Sequence, residues 1–152
     1  MYMSREQKME RLGNCGEKIV ANYLSSLGKT ITFSVDGFDS EKDFLSDNEK
    51  VEVKTQVPFI FKSAFTIKPE QLKKCRNVSS LYFVTVAATS RSSEWDFKLY
   101  SVDPENFIYY THITKDGRLM VLIPIKQPSV REVMDICEED RKQLLKFRVS
   151  EY

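Results

Sequence analysis

The sequence predicts an α/β domain. A helix, a strand, a two-strand hairpin, a short helix and a buried strand are followed by a β-rich extension and a closing helix. Three observations carry that prediction. Leu12, Gly16, Val20, Tyr23 and Leu27 recur at three- and four-residue intervals, the period of a helix face. Residues 81–87, Leu-Tyr-Phe-Val-Thr-Val-Ala, form a near-continuous apolar run, as in a strand buried on both sides. Lys115-Asp116-Gly117-Arg118 separates two apolar runs, 108–114 and 119–125, and its Asp-Gly is a hairpin signal.

In order along the chain, residues 4–27 read as the first helix, with Gly28 as its C-terminal stop. Residues 30–35 are β-rich, and the chain then turns through Asp36-Gly37-Phe38-Asp39 into a hairpin. Residues 57–67 are apolar and aromatic, but Pro58 argues against a central strand. Residues 69–75 read as a short helix with Pro69 in its first turn. Residues 88–93 form a polar loop too short to link domains, 95–102 another strand, and 103–106 a turn. Residues 129–147 carry Val130, Val133, Met134, Cys137, Leu144 and Leu145 and read as a second amphipathic helix, with Glu138 to Lys142 as a solvated face. There is no internal repeat.

At 152 residues the chain fits one domain, 1–152, with a core over about 4–90 and an extension over about 94–152. A net charge of +1 excludes a protein that coats nucleic acid by bulk attraction, so any such site is a local patch. The charge is nonetheless segregated. Asp36, Asp39, Glu41 and Asp43 are acidic, whereas Lys62, Lys68, Lys73, Lys74 and Arg76 form a basic stretch. Three scattered cysteines, Cys15, Cys75 and Cys137, and a single histidine, His112, disfavour structural zinc and point to a reducing intracellular setting. Cys15 and Cys137 read as core or boundary positions on helices, and His112 and Trp95 as structural. The N-terminal residues 1–6 carry no apolar run of signal-peptide length and nothing in the sequence approaches a transmembrane helix, so no membrane partner is expected.

The chemistry concentrates in the hairpin. Asp43 lies on one strand, Ser46-Asp47-Asn48-Glu49 favours a turn, and Val51-Glu52-Val53-Lys54-Thr55 forms the return strand. Strand alternation puts Val51, Val53 and Thr55 on one face and Glu52 and Lys54 on the other, about 6.6 Å apart. The turn brings Asp43 beside Glu52. Two carboxylates and an ammonium on one face can seat a divalent cation and a water, the equipment for cutting a phosphodiester. A solvated hairpin face would carry such charges too. Glu17 sits at the edge of the first helix's apolar face, where it can reach a neighbouring sheet or be satisfied by Lys18 or Lys29.

These pieces in this order resemble the PD-(D/E)xK nuclease superfamily, the restriction-endonuclease-like group with an αβββαβ core that includes Holliday junction resolvases. The matching residues are Gly13-Asn14-Cys15-Gly16-Glu17 with Tyr23-Leu24 and Gly28, then Lys42-Asp43-Phe44, Glu52-Val53-Lys54-Thr55-Gln56, Gln71-Leu72 and the strand at 81–87. They cover about the first 90 residues. The proline of the family's name is absent, and Lys42 precedes Asp43. The resemblance implies a mixed central sheet, a C-terminal β-hairpin and helix as a family-specific addition, and a Mg²⁺- or Mn²⁺-dependent endodeoxyribonuclease.

By the same resemblance Asp43 and Glu52, with the Val53 carbonyl, ligate the metal, Lys54 orients or deprotonates the attacking water, and Glu17 completes the site. Gln56 would touch the scissile phosphate. Lys68, Lys73, Lys74 and Arg76 would grip flanking phosphates. Tyr23, Phe59, Phe61 and Phe65 are candidates for base stacking, although aromatic runs of this kind more often fill a core. The partner implied is DNA, duplex or branched, with a homodimer by analogy to the resolvases and a cytoplasmic or nucleoid-associated setting. The opposing expectation is a non-catalytic domain that keeps the fold for binding nucleic acid or protein.

Overall fold

The computed structural model describes residues 3–33 and 43–149. Asp36, Asp39, Glu41 and Lys42 lie outside the described residues.

The first helix, α1, spans Arg5–Ser26. Ser4 caps it: its hydroxyl accepts from Gln7 N while the Gln7 side chain accepts from Ser4 N, so two end donors are satisfied reciprocally. Gly28 follows at φ +86°, a left-handed conformation that suits glycine. Ser4→Ala removes the cap, and thermal denaturation should show a loss of about 1 kcal/mol.

Six strands form the central sheet. They are β1 (Ile31–Phe33), β2 (Phe44–Ser46), β3 (Glu49–Gln56), β5 (Ser80–Thr85), β7 (Leu99–Val102) and β10 (Val130–Val133), in the order β1-β2-β3-β5-β7-β10. The sheet is mixed: β3 and β5 are parallel, and the other pairs are antiparallel. A parallel neighbour demands a crossover. Here the chain supplies β4 (Ala64–Ile67), a turn of 3-10 helix over Pro69–Gln71, and α2 (Leu72–Arg76). The β2–β3 turn is two residues long, with Asp47 at φ 49° and Asn48 at φ 67°, the left-handed pair a tight hairpin needs.

A second sheet stacks β4 against β9 (Leu119–Pro124) and β8 (Tyr110–Ile113), in the order β4-β9-β8. Strand alternation then sorts the core into two layers. From the central sheet, Val51, Val53, Tyr82, Val84 and Leu99 meet Leu12, Ile19, Val20 and Leu24 of α1. Leu81, Phe83, Tyr100 and Val102, on the opposite face, meet Phe65, Ile67, Val121 and Ile123 of the second sheet. Phe65 and Phe83 stack with ring centroids 4.2 Å apart, and Tyr100 packs edge-on against Phe65.

The helix–strand–hairpin–helix–strand order and the mixed sheet agree with the sequence expectation and are consistent with a restriction-endonuclease-like architecture. The C-terminal region is more integral than expected, because β7 and β10 complete the central sheet. Three expectations need correction. Residues 129–147 are not one helix: Val130–Val133 is strand β10, and only Glu138–Leu145 is helical (α3), with exposed Cys137 as its N-cap residue. Pro128 and the β-branched ends of Val-Arg-Glu-Val suit an edge strand, and pairing with β7 decides the matter. Within the supposed solvated face, Asp140 is buried and accepts from the Asn22 amide of α1 at 3.2 Å. The strand expected over 95–102 begins only at Leu99, because Phe97 takes φ 58°, a turn conformation. A short parallel bridge between β6 (Ala87–Ala88) and β11 (Arg148–Val149) ties the end of the described chain to the core. Among the described residues no helix is long and apolar enough to cross a membrane.

Candidate functional site

The hairpin register places the site. Phe44 pairs with Val51, so Asp43 stands opposite Glu52 one step further on, and its backbone N–H donates to Val51 O at 2.9 Å. The Asp43 carboxylate then turns inward and accepts from Val53 N at 2.6 Å. Val53 itself is buried and packs toward α1. Glu52 and Lys54 project to the other side of β3, where their neighbours across the parallel pair are Leu81 and Phe83. That apolar surround explains why Glu52 is completely buried.

A buried carboxylate needs partners, and Glu52 has two ammonium groups beside it. Lys74 Nζ lies 3.0 Å from Oε2 and Lys54 Nζ 3.5 Å from the same oxygen. Both are ion pairs, and neither carboxylate oxygen has a partner that meets full hydrogen-bond geometry. Lys54 Nζ donates instead to Gln71 Oε1 at 2.6 Å, which fixes the ammonium between β3 and the 3-10 turn.

Burial first, and then the neighbouring Asp43, pushes the Glu52 pKa up to about 7, against the pull of Lys54 and Lys74. Burial also raises half-buried Glu17, helped by the Glu52 charge, while a hydrogen bond with Asp43 and the charge of Lys74 oppose the rise. Asp43 thus acts on both glutamates. Ionised carboxylates are acceptors only, so these contacts become bonds when a proton enters the group. Burial works against the charge on Lys74, but Glu52 outweighs it and raises the lysine's pKa.

Glu17 reaches this group because α1 comes very close to β3. A Cβ built on Gly16 would lie 1.8 Å from Thr55 Oγ1, so only glycine lets the helix lie there. Gly16→Ala should therefore cost about 1–3 kcal/mol in denaturant unfolding. Adding Thr55→Ala should recover part of it.

The structure gathers Glu17, Asp43, Glu52, Lys54 and Lys74, and adds Gln71. Lys74, expected at a phosphate-binding rim, is inside the site as the nearest cation to Glu52. Gln56 is engaged elsewhere: its amide donates to Thr66 O at 2.7 Å and accepts from Thr66 N at 2.8 Å, clasping β4. Arg76 spends its guanidinium on the carbonyls of Pro104, Glu105 and Phe107 and lies 3.8 Å from the Phe107 ring centroid. Lys68 and Lys73 are exposed. Phe65 is buried in the core, Tyr23 packs edge-on to Tyr82, and His112 packs on Phe59.

Sequence reasoning gave Gln71 no role and misplaced Lys74. Both sit on the crossover, and only tertiary packing brings that segment to β3. Among the described residues, no three Asp, Glu, His or Cys side chains converge so as to hold a metal ion by themselves. Compared with known proteins, the chain matches no family model and no curated protein.

Proposed function

We propose that this domain is a metal-dependent nuclease acting on DNA, with Asp43 and Glu52 as metal ligands, Glu17 beside them, and Lys54 at the reacting phosphate. One observation carries the reading: Glu52 is fully buried, neither oxygen has a directed hydrogen bond, and its pKa is held up to about 7. A carboxylate in that condition fits a cation better than it fits its own surroundings. Mg²⁺ is commonly held by one or two carboxylates, with waters and substrate phosphate completing its shell, so a pair of acids suffices. When bound, such an ion supplies a water of lowered pKa and stabilises charge developing on the phosphate.

The chain's own residues do the rest. Asp43 is anchored by Val53 N–H, so its second oxygen has a defined direction. Lys54, held by Gln71, presents a fixed positive charge beside the acids. Lys74 neutralises Glu52 while no other cation is present and can turn to a phosphate when one is. Exposed Lys68 and Lys73 supply further phosphate contacts.

A second reading keeps the fold for binding nucleic acid or a protein without cutting. The lack of a three-ligand group among the described residues, together with two lysines already on Glu52, favours it. The readings separate in one experiment. Four-way junction, flap, blunt duplex, single strand and RNA are incubated with Mg²⁺, Mn²⁺ or EDTA. Products that accumulate only with the cation support the nuclease. Binding without cutting under every condition transfers the site to the second reading.

A further inference from the structure

The segment leaving β3 carries a surface that the acid–lysine site does not use. Phe59 N donates to Ala64 O at 2.8 Å and Ala64 N to Phe59 O at 3.2 Å, with Ser63 at φ 47°, so the intervening residues form a closed, rigid loop. At its tip Phe61 is 78% exposed, the most exposed large apolar side chain among the described residues. The ring is held in place. Phe59 packs edge-on at 6.5 Å, the Arg91 guanidinium lies 4.7 Å from the Phe61 centroid, and His112 packs on Phe59 at 5.6 Å. Exposing such a ring costs solvation, and fixing it between an aromatic and a cation makes a platform.

The chemistry around the platform selects the occupant. Between Lys54 and Pro69 the chain has Lys54, Lys62 and Lys68 and no Asp or Glu. From neighbouring segments Arg91 lies over the Phe61 ring and His112 packs on Phe59. A protruding aromatic with Lys62 beside it in the chain and the Arg91 guanidinium over its ring matches a polyanion with accessible π-faces, which is a single-stranded polynucleotide. In a continuous duplex the bases are already stacked, so a phenylalanine tip can stack only by first unstacking a base step, which an unpaired base spares it. Phe61 also lies seven residues beyond Lys54, at most about 25 Å along an extended chain, so one short strand can span both.

We infer that Phe61 stacks on an unpaired base of the substrate, and that the nucleic acid this domain takes has a single-stranded segment, such as an overhang, a flap or a free strand. This rests on the nucleic-acid reading above and narrows its substrate class.

The test is fluorescence anisotropy in EDTA, where nothing is cut, on a labelled single strand, a duplex with a single-stranded overhang, and a blunt duplex. Wild type should favour the first two. Phe61→Ala should weaken those two about 5- to 150-fold, the range for losing one stacked base, and change the blunt duplex by less than about twofold. Phe61→Trp should keep the affinity, and its indole emission should be quenched by the single strand. Equal affinities of wild type and Phe61→Ala on all three, or no quenching, overturn the inference. If the wild type cuts blunt duplex with a metal ion all the same, the nuclease reading stands without it. Failure of wild type to bind any of the three, with no cleavage, overturns both readings.

Discussion

Glu52→Gln should make the folded protein more stable at pH 8 while abolishing cleavage. The sign follows from the direction of the Glu52 shift. Its pKa is raised in the folded state, from the ordinary 4.5 to about 7, with burial the first cause and Asp43 the second. A carboxyl group shifted that way favours the folded state fully below about pH 4.5, and that contribution is lost as pH rises through about 7. The loss is about 3 kcal/mol by pH 8. Glutamine mimics the protonated acid and escapes it. The measurement is urea unfolding of both proteins at pH 4 and pH 8. The stability difference, variant minus wild type, should shift in the variant's favour by about 3 kcal/mol between the two. A difference that does not move with pH would show that Glu52 ionises in the folded protein at no cost. Added Mg²⁺ should raise the wild-type Tm at pH 8 and leave that of Glu52→Gln unchanged. The cleavage loss follows because the variant lacks a ligand charge worth several kcal/mol at the reacting centre, about a thousandfold in rate.

Lys54→Ala is expected to lower single-turnover cleavage by about 100- to 1000-fold, the usual cost of removing one fixed group that meets charge as it develops. Its stability should change little. Lys54 is partly exposed and shares Glu52 with the closer Lys74, so the buried carboxylate keeps a cation. Gln71 loses its partner but can turn to water. Lys74→Ala should behave in the opposite way, because it strips the 3.0 Å ion pair from a buried acid and should cost more in stability than Lys54→Ala does. A Lys54→Ala variant that cuts at the wild-type rate would remove the lysine from the chemistry.

The site was legible where it is local. The turn-favouring run Ser46-Asp47-Asn48-Glu49 and strand alternation were enough to put Asp43 beside Glu52 and Lys54 two residues along the same face, and the observed register does so. Gly16-Glu17 could be seen as a helix edge, but not the close packing on Thr55 that leaves no room for a Cβ at position 16 and delivers the glutamate. Lys74 on Glu52 and Gln71 on Lys54 could not be read, because both depend on how the crossover folds back over β3. The same cause lies behind the C-terminal error. Val130 and Val133 are three apart, a helix spacing; in strand β10 they point to opposite faces of the sheet, and the choice was made by β7, a partner distant in sequence. Phe61 was read with its aromatic neighbours. Its burial differs from that of Phe65 only because the closed loop between Phe59 and Ala64 turns one ring outward and β4 takes the other inward.

The most direct measurement is cleavage of an end-labelled overhang duplex at pH 8 by wild type, Asp43→Asn and Lys54→Ala, each with Mg²⁺ and with EDTA. Cutting by wild type with Mg²⁺ alone, lost in Asp43→Asn and strongly slowed in Lys54→Ala, is the expected result. Binding of the substrate by all three proteins with no product from any of them, in Mg²⁺ or in Mn²⁺, would contradict it and leave the acid–lysine cluster as part of a binding surface.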